Sequence, residues 1–192
     1  MQHDVLSYQF ENDRKLRLAA RLMLLAALTE NDKAELLTHY TLNSVSKPVI
    51  PGWSDFSISH SGNLVLFCES DSDVGIDIEL VTELDFGNLA SFFHNEEKEY
   101  ILAGDTCNRF YETWVKKEAV LKAIGTGIVN GLDAFSCLEN PAVVNNKKWY
   151  FYPLVTDESY KACVSSNQVF EEITLEEFDP RLVMDSFVSK RD

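Results

Sequence analysis

The sequence has few cysteines, and none of them is spaced for metal binding or for a redox pair. The four cysteines of the 192-residue chain (Cys68, Cys107, Cys137 and Cys163) are scattered, with no C-x-x-C spacing. This arrangement argues against a zinc site and is typical of a reducing compartment, in which thiols stay reduced. We therefore expect a cytoplasmic protein in which each cysteine is a small buried apolar residue.

Long apolar runs are also missing. The longest candidate, residues 16–28, is interrupted by Arg17 and Arg21, whereas a membrane span needs about 20 predominantly apolar residues. The N-terminus shows neither the basic segment nor the apolar segment of a signal peptide. We therefore expect no membrane partner and no signal peptide.

Basic residues are scarce, and the common phosphate-binding loops are absent. The chain has 17 Lys and Arg against 31 Asp and Glu, for a formal net charge of −14. Because a nucleic-acid backbone requires a basic surface, this balance argues against nucleic-acid binding. The sequence contains no G-x-x-x-x-G-K-[ST] or G-x-G-x-x-G loop and no obvious Ser-His-Asp or Cys-His arrangement. Its length fits one domain or two small subdomains that share a core.

Residue periodicity predicts both helices and strands along the chain. Apolar spacing predicts helices at residues 13–28, 29–40, 94–100 and 108–124, with Thr29 or Asn31 as N-cap of the second and Gly125 as the stop of the last. Alternation and turn residues predict a hairpin of residues 55–60 and 64–69 and further strands at 74–79, 148–153 and 160–165. Two prolines keep residues 47–52 extended.

The segment at residues 74–79, V-G-I-D-I-E, carries the clearest chemical signal. Its apolar residues alternate with Gly75, Asp77 and Glu79, and side chains two apart on a strand lie on the same side. Two neighbouring carboxylates repel each other unless a cation lies between them, and Mg²⁺ is typically held by one or two carboxylates plus substrate phosphates. The alternative for this segment alone is an edge strand with a solvated acidic face.

Two other regions are candidates for anion binding. His60 lies at the mouth of the predicted hairpin between serines, and an imidazole with hydroxyl groups is a suitable donor set for a phosphate oxygen. Arg14, Arg17 and Arg21 share one stripe of the first helix. This stripe is either an anion-binding edge or the polar flank of a buried helix.

The helix predicted at residues 108–124 combines an apolar stripe with charged residues. The stripe comprises Phe110, Trp114, Leu121 and Ile124. Glu118 and Lys122 are i, i+4 on another face, with Lys117 adjacent. Such a pair ordinarily adds only ~0.3–0.5 kcal/mol to helix stability; the alternative is that these residues line a phosphate and metal site.

Four motifs in order resemble the 4′-phosphopantetheinyl transferase superfamily. They are S-I-S-H-S at residues 57–61, V-G-I-D-I-E at 74–79, F-F-H-N-E-E at 92–97 and W-V-K-K-E-A-V-L-K-A-I-G at 114–125. The last motif, W-x-x-K-E-x-x-x-K-x-x-G, is specific. The resemblance covers about residues 14–127, is weaker beyond, and is to the longer, monomeric type that activates peptide and polyketide synthases.

The resemblance implies a fold and an activity. The fold would be α+β, with two pseudo-symmetric subdomains at residues 1–73 (coenzyme A contacts) and 74–192 (metal site and catalytic helix), and the active site would lie in the cleft between them. The enzyme would be a monomeric transferase that moves the phosphopantetheine arm of coenzyme A onto a serine of an apo acyl or peptidyl carrier protein and releases 3′,5′-ADP. Its cofactor would be Mg²⁺, with Mn²⁺ as an alternative.

The resemblance also assigns roles to individual residues. The metal ligands would be Asp77, Glu79 and Glu118. The coenzyme A contacts would be Arg17, Arg21, Lys47, Ser59, His60, Lys117 and Lys122. The catalytic residues would be Asp77, Glu118, Lys122 and Glu97, the last of these as a candidate general base.

The sequence departs from the family pattern in one respect, and two other functions are alternatives to this interpretation. Longer relatives carry a basic stretch before the first helix, which this sequence lacks, so we expect Arg14, Arg17 and Arg21 to contribute more to binding the nucleotide. A degenerate homologue that binds coenzyme A or carrier protein without turnover is one alternative; all three acids and Lys122 argue against it. Another Mg²⁺-dependent phosphate-ester enzyme is the second.

Overall fold

The computed structural model of the protein describes residues 11–44, 46–127 and 131–181, which form a mixed α and β fold. The helices are α1 (Glu11–Glu30), α2 (Phe86–Leu89), α3 (Asn95–Leu102) and α4 (Thr106–Ile124), with 3-10 turns at Ala34–His39 and Ala90–Phe92. The strands are β1 (Thr41–Leu42), β2 (Pro48–Val49), β3 (Asp55–Ser61), β4 (Leu64–Ser70), β5 (Val74–Leu80), β6 (Ala142–Val144), β7 (Lys147–Leu154) and β8 (Tyr160–Ser166). Within the described ranges, no helix has the length and apolar content needed to cross a membrane.

The predicted first, third and fourth helices are confirmed, and their ends have recognisable caps. The carboxylate of Asp105 accepts a hydrogen bond from the backbone N–H of Asn108 at the start of α4, at 3.2 Å. At the other end, Gly125 adopts a left-handed conformation with φ 72° and stops the helix, as glycine commonly does. At the start of α3, the backbone N–H of His94 donates to the carboxylate of Glu97, at 3.2 Å.

The predicted second helix is wrong, because its proposed N-caps belong to the end of α1. The Thr29 hydroxyl donates to the carbonyl oxygen of Leu25, and the Asn31 amide donates to that of Ala27. Both side chains therefore bond to carbonyl groups near the end of α1 instead of capping a new helix. Asp32 then turns the chain with φ 54°, and only a 3-10 turn follows.

The strands form a short antiparallel pair of β1 and β2, a separate hairpin and a four-stranded antiparallel sheet. β3 and β4 pair with each other, and the sheet has the order β5-β8-β7-β6. The predicted hairpin and the strands at 148–153 and 160–165 are therefore confirmed. One apolar cluster contains Leu24, Leu28, Ile50 and Phe56 from the first half of the chain. A larger one surrounds α4. The proposed division at residues 73 and 74 falls just before β5 and stays a prediction.

On the edge of β5 that faces β3, the backbone N–H groups donate hydrogen bonds to side chains of β3 rather than to its backbone carbonyl groups. Alternate residues of β3 accept hydrogen bonds from alternate backbone N–H groups of β5, an arrangement that we call the side-chain ladder. Its four bonds run from Val74 N to Asp55 Oδ2 (2.8 Å), Ile76 N to Ser57 Oγ (3.1 Å), Ile78 N to Ser59 Oγ (3.3 Å) and Leu80 N to Ser61 Oγ (3.0 Å). The ladder joins the hairpin to the sheet.

Helix α4 lies directly against β5 at a glycine. A Cβ atom on Gly75 would lie 2.0 Å from the carbonyl oxygen of Ala119 and 2.5 Å from the backbone nitrogen of Ala123. Both atoms belong to the helix backbone, which cannot move aside as a flexible side chain can. The close approach of α4 to β5 therefore requires glycine at this position.

We expect Gly75→Ala to lower the free energy of unfolding by ~3 kcal/mol or more, since overpacking a rigid site costs ~1–3 kcal/mol and here the obstacle is backbone. Urea unfolding monitored by circular dichroism measures the change. Gly87→Ala is the matched control, because its nearest non-neighbouring atom would be 3.6 Å away. Equal stability of the two variants would contradict the proposed packing.

Candidate active site

A cavity of about 320 Å³ lies between β3, β5 and α4. It is lined by Ile58, Ser59, His60, Asp77, Glu79, Trp114, Glu118 and Lys122. Each of the three elements contributes polar side chains: β3 a hydroxyl and an imidazole, β5 two carboxylates, and α4 a carboxylate and an ammonium group. The structure thus brings most of the sequence-predicted site residues to one place.

Helix α4 presents one continuous face to the cavity. Trp114, Glu118 and Lys122 are spaced i, i+4 and i+8, and residues at this spacing lie on the same side of a helix. The sequence interpretation placed Trp114 in an apolar stripe on a different face from Glu118 and Lys122. That part is wrong, because the indole lines the cavity together with the two charged groups.

Asp77 is buried and held by two partners. Its side chain is only 3 % exposed, so the alternative of a solvated acidic face is excluded for this residue. Its Oδ1 accepts hydrogen bonds from Lys122 Nζ at 2.6 Å and from the hydroxyl of Ser59 at 2.8 Å. Glu79, two residues along β5, accepts through Oε2 from the hydroxyl of Ser61 at 2.8 Å.

The three cavity carboxylates are electrostatically strained. Burial raises the pKa of Asp77, and the ammonium group of Lys122 opposes that rise. Burial also raises the pKa of Glu79, with a smaller contribution from the negative charge of Asp77. For Glu118, burial and the charge of Asp77 raise the pKa to about 6. Three acids that share one lysine leave the cavity short of positive charge.

The carboxylate oxygens of Asp77, Glu79 and Glu118 are chemically suitable ligands for a hard divalent cation. Asp77 Oδ2 and Glu118 Oε1 are buried and have no hydrogen-bond partner, and carboxylate oxygens are the ligands that Mg²⁺ prefers. As they stand, no three His, Cys, Asp or Glu side chains in the described ranges form a ready-made metal site, and Lys122 Nζ already bonds to Asp77. The metal-ligand roles of Asp77, Glu79 and Glu118 stay predictions.

His60 lies at the exposed rim of the cavity. Partial desolvation lowers its pKa, and the positive charges of Arg17 and Lys122 lower it further. The imidazole is therefore neutral at pH 7, with one nitrogen as donor and the other as acceptor. Arg17 lies near enough to act on His60 but does not line the cavity. Arg21 stacks on the ring of Tyr40, with its guanidinium carbon 4.2 Å from the ring centre.

The predicted roles of Glu97 as general base and Lys117 as a coenzyme A contact do not agree with the structure. Both side chains are 0 % exposed and form an ion pair at 2.7 Å, away from the cavity lining. Glu97 also accepts from the backbone N–H of Cys137 at 2.7 Å. Lys117 also donates to the carbonyl oxygens of Leu132 and Phe135. All these groups are saturated inside the core, so the pair has a structural role.

The ammonium group of Lys47 also makes its hydrogen bonds to other groups of the protein. Its ammonium group donates to Asp55 Oδ2 at 2.6 Å and to the carbonyl oxygens of Ala123 at 3.0 Å and Val74 at 3.4 Å. The side chain is 10 % exposed and does not line the cavity. In this structure Lys47 therefore connects the start of β3, the start of β5 and the end of α4, and its role as a coenzyme A contact stays a prediction.

Ser59 lines the cavity, but its hydroxyl is already fully used. It donates to Asp77 and accepts from Lys122 Nζ at 2.7 Å and from the backbone N–H of Ile78. A hydroxyl has one donor and two acceptor positions, so none remains for a phosphate. The residue missed by the sequence analysis is Ser61, which bonds to Glu79. One sequence signal could have indicated this contact. Serines occur at every second position of residues 57–61, and Gly75, Asp77 and Glu79 occur at every second position of β5, so the two sets can face each other.

Comparison with known proteins identifies the family. The profile of the 4′-phosphopantetheinyl transferase superfamily (ACPS) matches residues 73–174. That range covers more than half of the chain and contains all three cavity carboxylates and Lys122. The chain therefore belongs to the 4′-phosphopantetheinyl transferase superfamily.

Individual relatives match over different lengths. 4′-Phosphopantetheinyl transferase Sfp of Bacillus subtilis is 29 % identical over 165 residues, which cover 79 % of this chain and 73 % of Sfp. 4′-Phosphopantetheinyl transferase gsp of Aneurinibacillus migulanus is 37 % identical over 98 residues, or 48 % of this chain and 40 % of gsp. The human L-aminoadipate-semialdehyde dehydrogenase-phosphopantetheinyl transferase is 32 % identical over 142 residues, or 63 % of this chain and 46 % of that enzyme. The match thus spans less than half of the last two relatives.

We expect Lys117→Met to lower the free energy of unfolding by ~3–5 kcal/mol, because it leaves the buried carboxylate of Glu97 without its counter-ion. Urea unfolding at pH 7 measures the loss. The control is Lys116→Met, which removes the neighbouring, partly exposed lysine and should cost far less. If the two variants unfold at the same urea concentration, the structural role of Lys117 is refuted.

We expect Glu118→Gln to stabilise the metal-free protein at neutral pH by about 1 kcal/mol, after allowance for solvent screening. The pKa of Glu118 is raised on folding, from 4.5 to about 6. The wild type therefore loses stability as pH rises through that window, whereas the glutamine does not. Unfolding with a chelator at several values from pH 4.5 to pH 8 tests this. A gain that is independent of pH, or that also appears in the exposed control Glu99→Gln, would argue against it.

Proposed function

We propose that the protein transfers the 4′-phosphopantetheine group of coenzyme A to a serine of an apo acyl or peptidyl carrier protein, in a Mg²⁺-dependent reaction that releases 3′,5′-ADP. Membership of the superfamily supports this proposal, as does the phosphopantetheinyl transferase activity for which the relatives are named. The observation that carries it is the cavity in which Asp77, Glu79 and Glu118 converge on Lys122 beside His60. Such a set of groups can bind a pyrophosphate together with a cation.

The reaction makes one bond and breaks one bond. The serine oxygen of the carrier attacks the β-phosphorus of coenzyme A, and the bond from that phosphorus to the bridging oxygen of 3′,5′-ADP breaks. The serine proton leaves, and negative charge accumulates on the departing phosphate. Catalysis of this kind depends on positioning and on neutralisation of charge.

Lys122 and His60 both line the cavity, and we assign them to the phosphates. Lys122 is 31 % exposed, so its ammonium group can contact an anion in the cavity while it remains close to Asp77. His60 is neutral at pH 7, so it offers a hydrogen bond rather than a charge. A bound phosphate would raise the pKa of His60, and coenzyme A binding should then take up a proton at slightly acidic pH.

Asp77, Glu79 and Glu118 would hold the divalent cation. The buried oxygens without partners, Asp77 Oδ2 and Glu118 Oε1, are the atoms best suited to it. When bound, Mg²⁺ supplies positive charge to the pyrophosphate and relieves the repulsion among the three acids. Mn²⁺ suits the same oxygen ligands.

The proton acceptor for the carrier serine must line the cavity. Glu97 does not, so we infer that the role falls to His60 or to Glu118. Neutral imidazole has a free acceptor nitrogen, and a carboxylate keeps acceptor positions on its second oxygen when the first binds a cation. We further propose that the enzyme acts as a cytoplasmic monomer, and the four unpaired cysteines are in keeping with a reducing compartment.

The test is an incubation of the protein with apo carrier proteins, coenzyme A and Mg²⁺, followed by intact mass measurement of each carrier. We expect a gain of one phosphopantetheine together with release of 3′,5′-ADP. Asp77→Asn should reduce the rate by at least ~100-fold through weaker charge stabilisation, whereas Glu99→Gln should leave it unchanged.

Other results would support other functions. If no fatty-acid, polyketide or peptide carrier gains mass, the proposal is contradicted. Coenzyme A binding without turnover would favour a non-catalytic homologue, and release of 3′,5′-ADP without a carrier product would favour a different phosphate-ester enzyme. Unchanged turnover in Asp77→Asn would refute the role of that residue.

A further inference from the structure

Ser61 serves two groups of β5 at the same time. Its hydroxyl oxygen accepts a hydrogen bond from the backbone N–H of Leu80 at 3.0 Å and donates to Oε2 of Glu79 at 2.8 Å. Because a serine hydroxyl has a single hydrogen, acceptance from Leu80 leaves that hydrogen available for the carboxylate. The backbone of β5 thereby fixes the direction in which Ser61 donates.

Two residues earlier, Ser59 repeats this arrangement. Its hydroxyl accepts from the backbone N–H of Ile78 and donates to Oδ1 of Asp77. With Oδ1 occupied, the other oxygen of Asp77 is left in the cavity without a hydrogen-bond partner. The repeat shows what such a serine does: it selects which carboxylate oxygen remains available.

Another two residues earlier, Ser57 makes the backbone contact alone. Its hydroxyl accepts from the backbone N–H of Ile76 at 3.1 Å. The β5 residue that would carry a carboxylate at this level is Gly75, which has no side chain. Ser57 therefore stabilises the junction of β3 and β5 without holding any cavity group, and it provides an internal control for the other two serines.

We propose that Ser61 is a positioning residue that holds Glu79 in the orientation required for binding a divalent cation, and that the side-chain ladder thereby couples the hairpin to the metal site. This inference rests on the proposed function, because it takes Glu79 as a ligand. Glu79 is only partly buried and has three rotatable side-chain bonds, so without Ser61 more side-chain freedom would be lost on binding the cation. Burial raises the pKa of Glu79, and an interaction with the indole of Trp114 opposes that rise and limits the loss.

The experiment compares cation affinity among three variants and the wild type. Binding of Mn²⁺ is measured from the electron paramagnetic resonance signal of the free ion, with and without coenzyme A, and Mg²⁺ is measured by competition. Loss of an outer hydrogen bond to a ligand typically weakens affinity 10- to 100-fold. We expect Ser61→Ala to weaken binding about 10-fold.

The two control variants separate positioning from general stability. Ser57→Ala loses the same kind of backbone contact and should destabilise the fold to a similar extent in urea, but it should change Mn²⁺ affinity by less than about 2-fold, since no ligand is touched. Ser61→Thr keeps the hydroxyl and should restore affinity to within about 3-fold of the wild type.

Several outcomes would overturn the inference. They are equal affinity of Ser61→Ala and the wild type, an equal loss in Ser57→Ala, and failure of Ser61→Thr to recover affinity. A wild type that binds no cation overturns it as well, while the carrier-mass assay still decides the proposed function independently. The opposite result is also informative. If the wild type and the variants bind Mn²⁺ with the expected relative affinities but the wild type modifies no carrier, the inference is supported and the proposed transfer activity is contradicted.

Discussion

The edge of β5 that faces β3 must find hydrogen-bond partners for its backbone N–H groups without a backbone ladder. An edge strand presents a row of unpaired N–H groups, and buried N–H groups need partners. Here Asp55 and the three serines of β3 supply them. Since side chains rather than backbone carbonyls make the bonds, two of the hydroxyls can also donate to the carboxylates of β5. One set of contacts therefore joins the hairpin to the sheet and organises the acids of the cavity.

The approach of α4 depends on the same strand. Gly75 lets the helix backbone lie against β5, and this approach brings Glu118 and Lys122 to the level of Asp77. Lys47 stabilises the arrangement, because its ammonium group bonds to Asp55 and to carbonyl groups of both β5 and α4. The charged cavity is thus a consequence of backbone packing. It contains three carboxylates and one lysine, and the raised pKa values of the three acids are typical of functional sites.

Much of the architecture could be predicted from the sequence, because it depends on local signals. Periodicity and caps placed α1, α3, α4 and the hairpin, and the four motifs indicated the family that the sequence comparison then identified. The second helix was predicted wrongly, because Thr29 and Asn31 are equally suited to an N-cap and to bonding carbonyl groups at a helix end. Short elements such as α2 and β6 carry too little pattern to be predicted. The roles of Lys47 and Ser59 depend on partners 8 to 76 residues away, which no local pattern specifies.

Lys117 and Lys122 of α4 show why similar residues in one motif can have different roles. Neighbouring positions on a helix point about 100° apart, so Lys117 enters the core while Glu118 faces the cavity, and Lys122 returns to the cavity one turn later. In the sequence both lysines lie near Glu118 and look alike. Burial of Lys117 is costly unless its charge is paired and its other protons are bonded, and Glu97 with the carbonyl groups of Leu132 and Phe135 meets that need. The Lys-Glu-x-x-x-Lys motif therefore combines one residue that fixes α4 to α3 and to the segment around Phe135 with two residues that line the cavity.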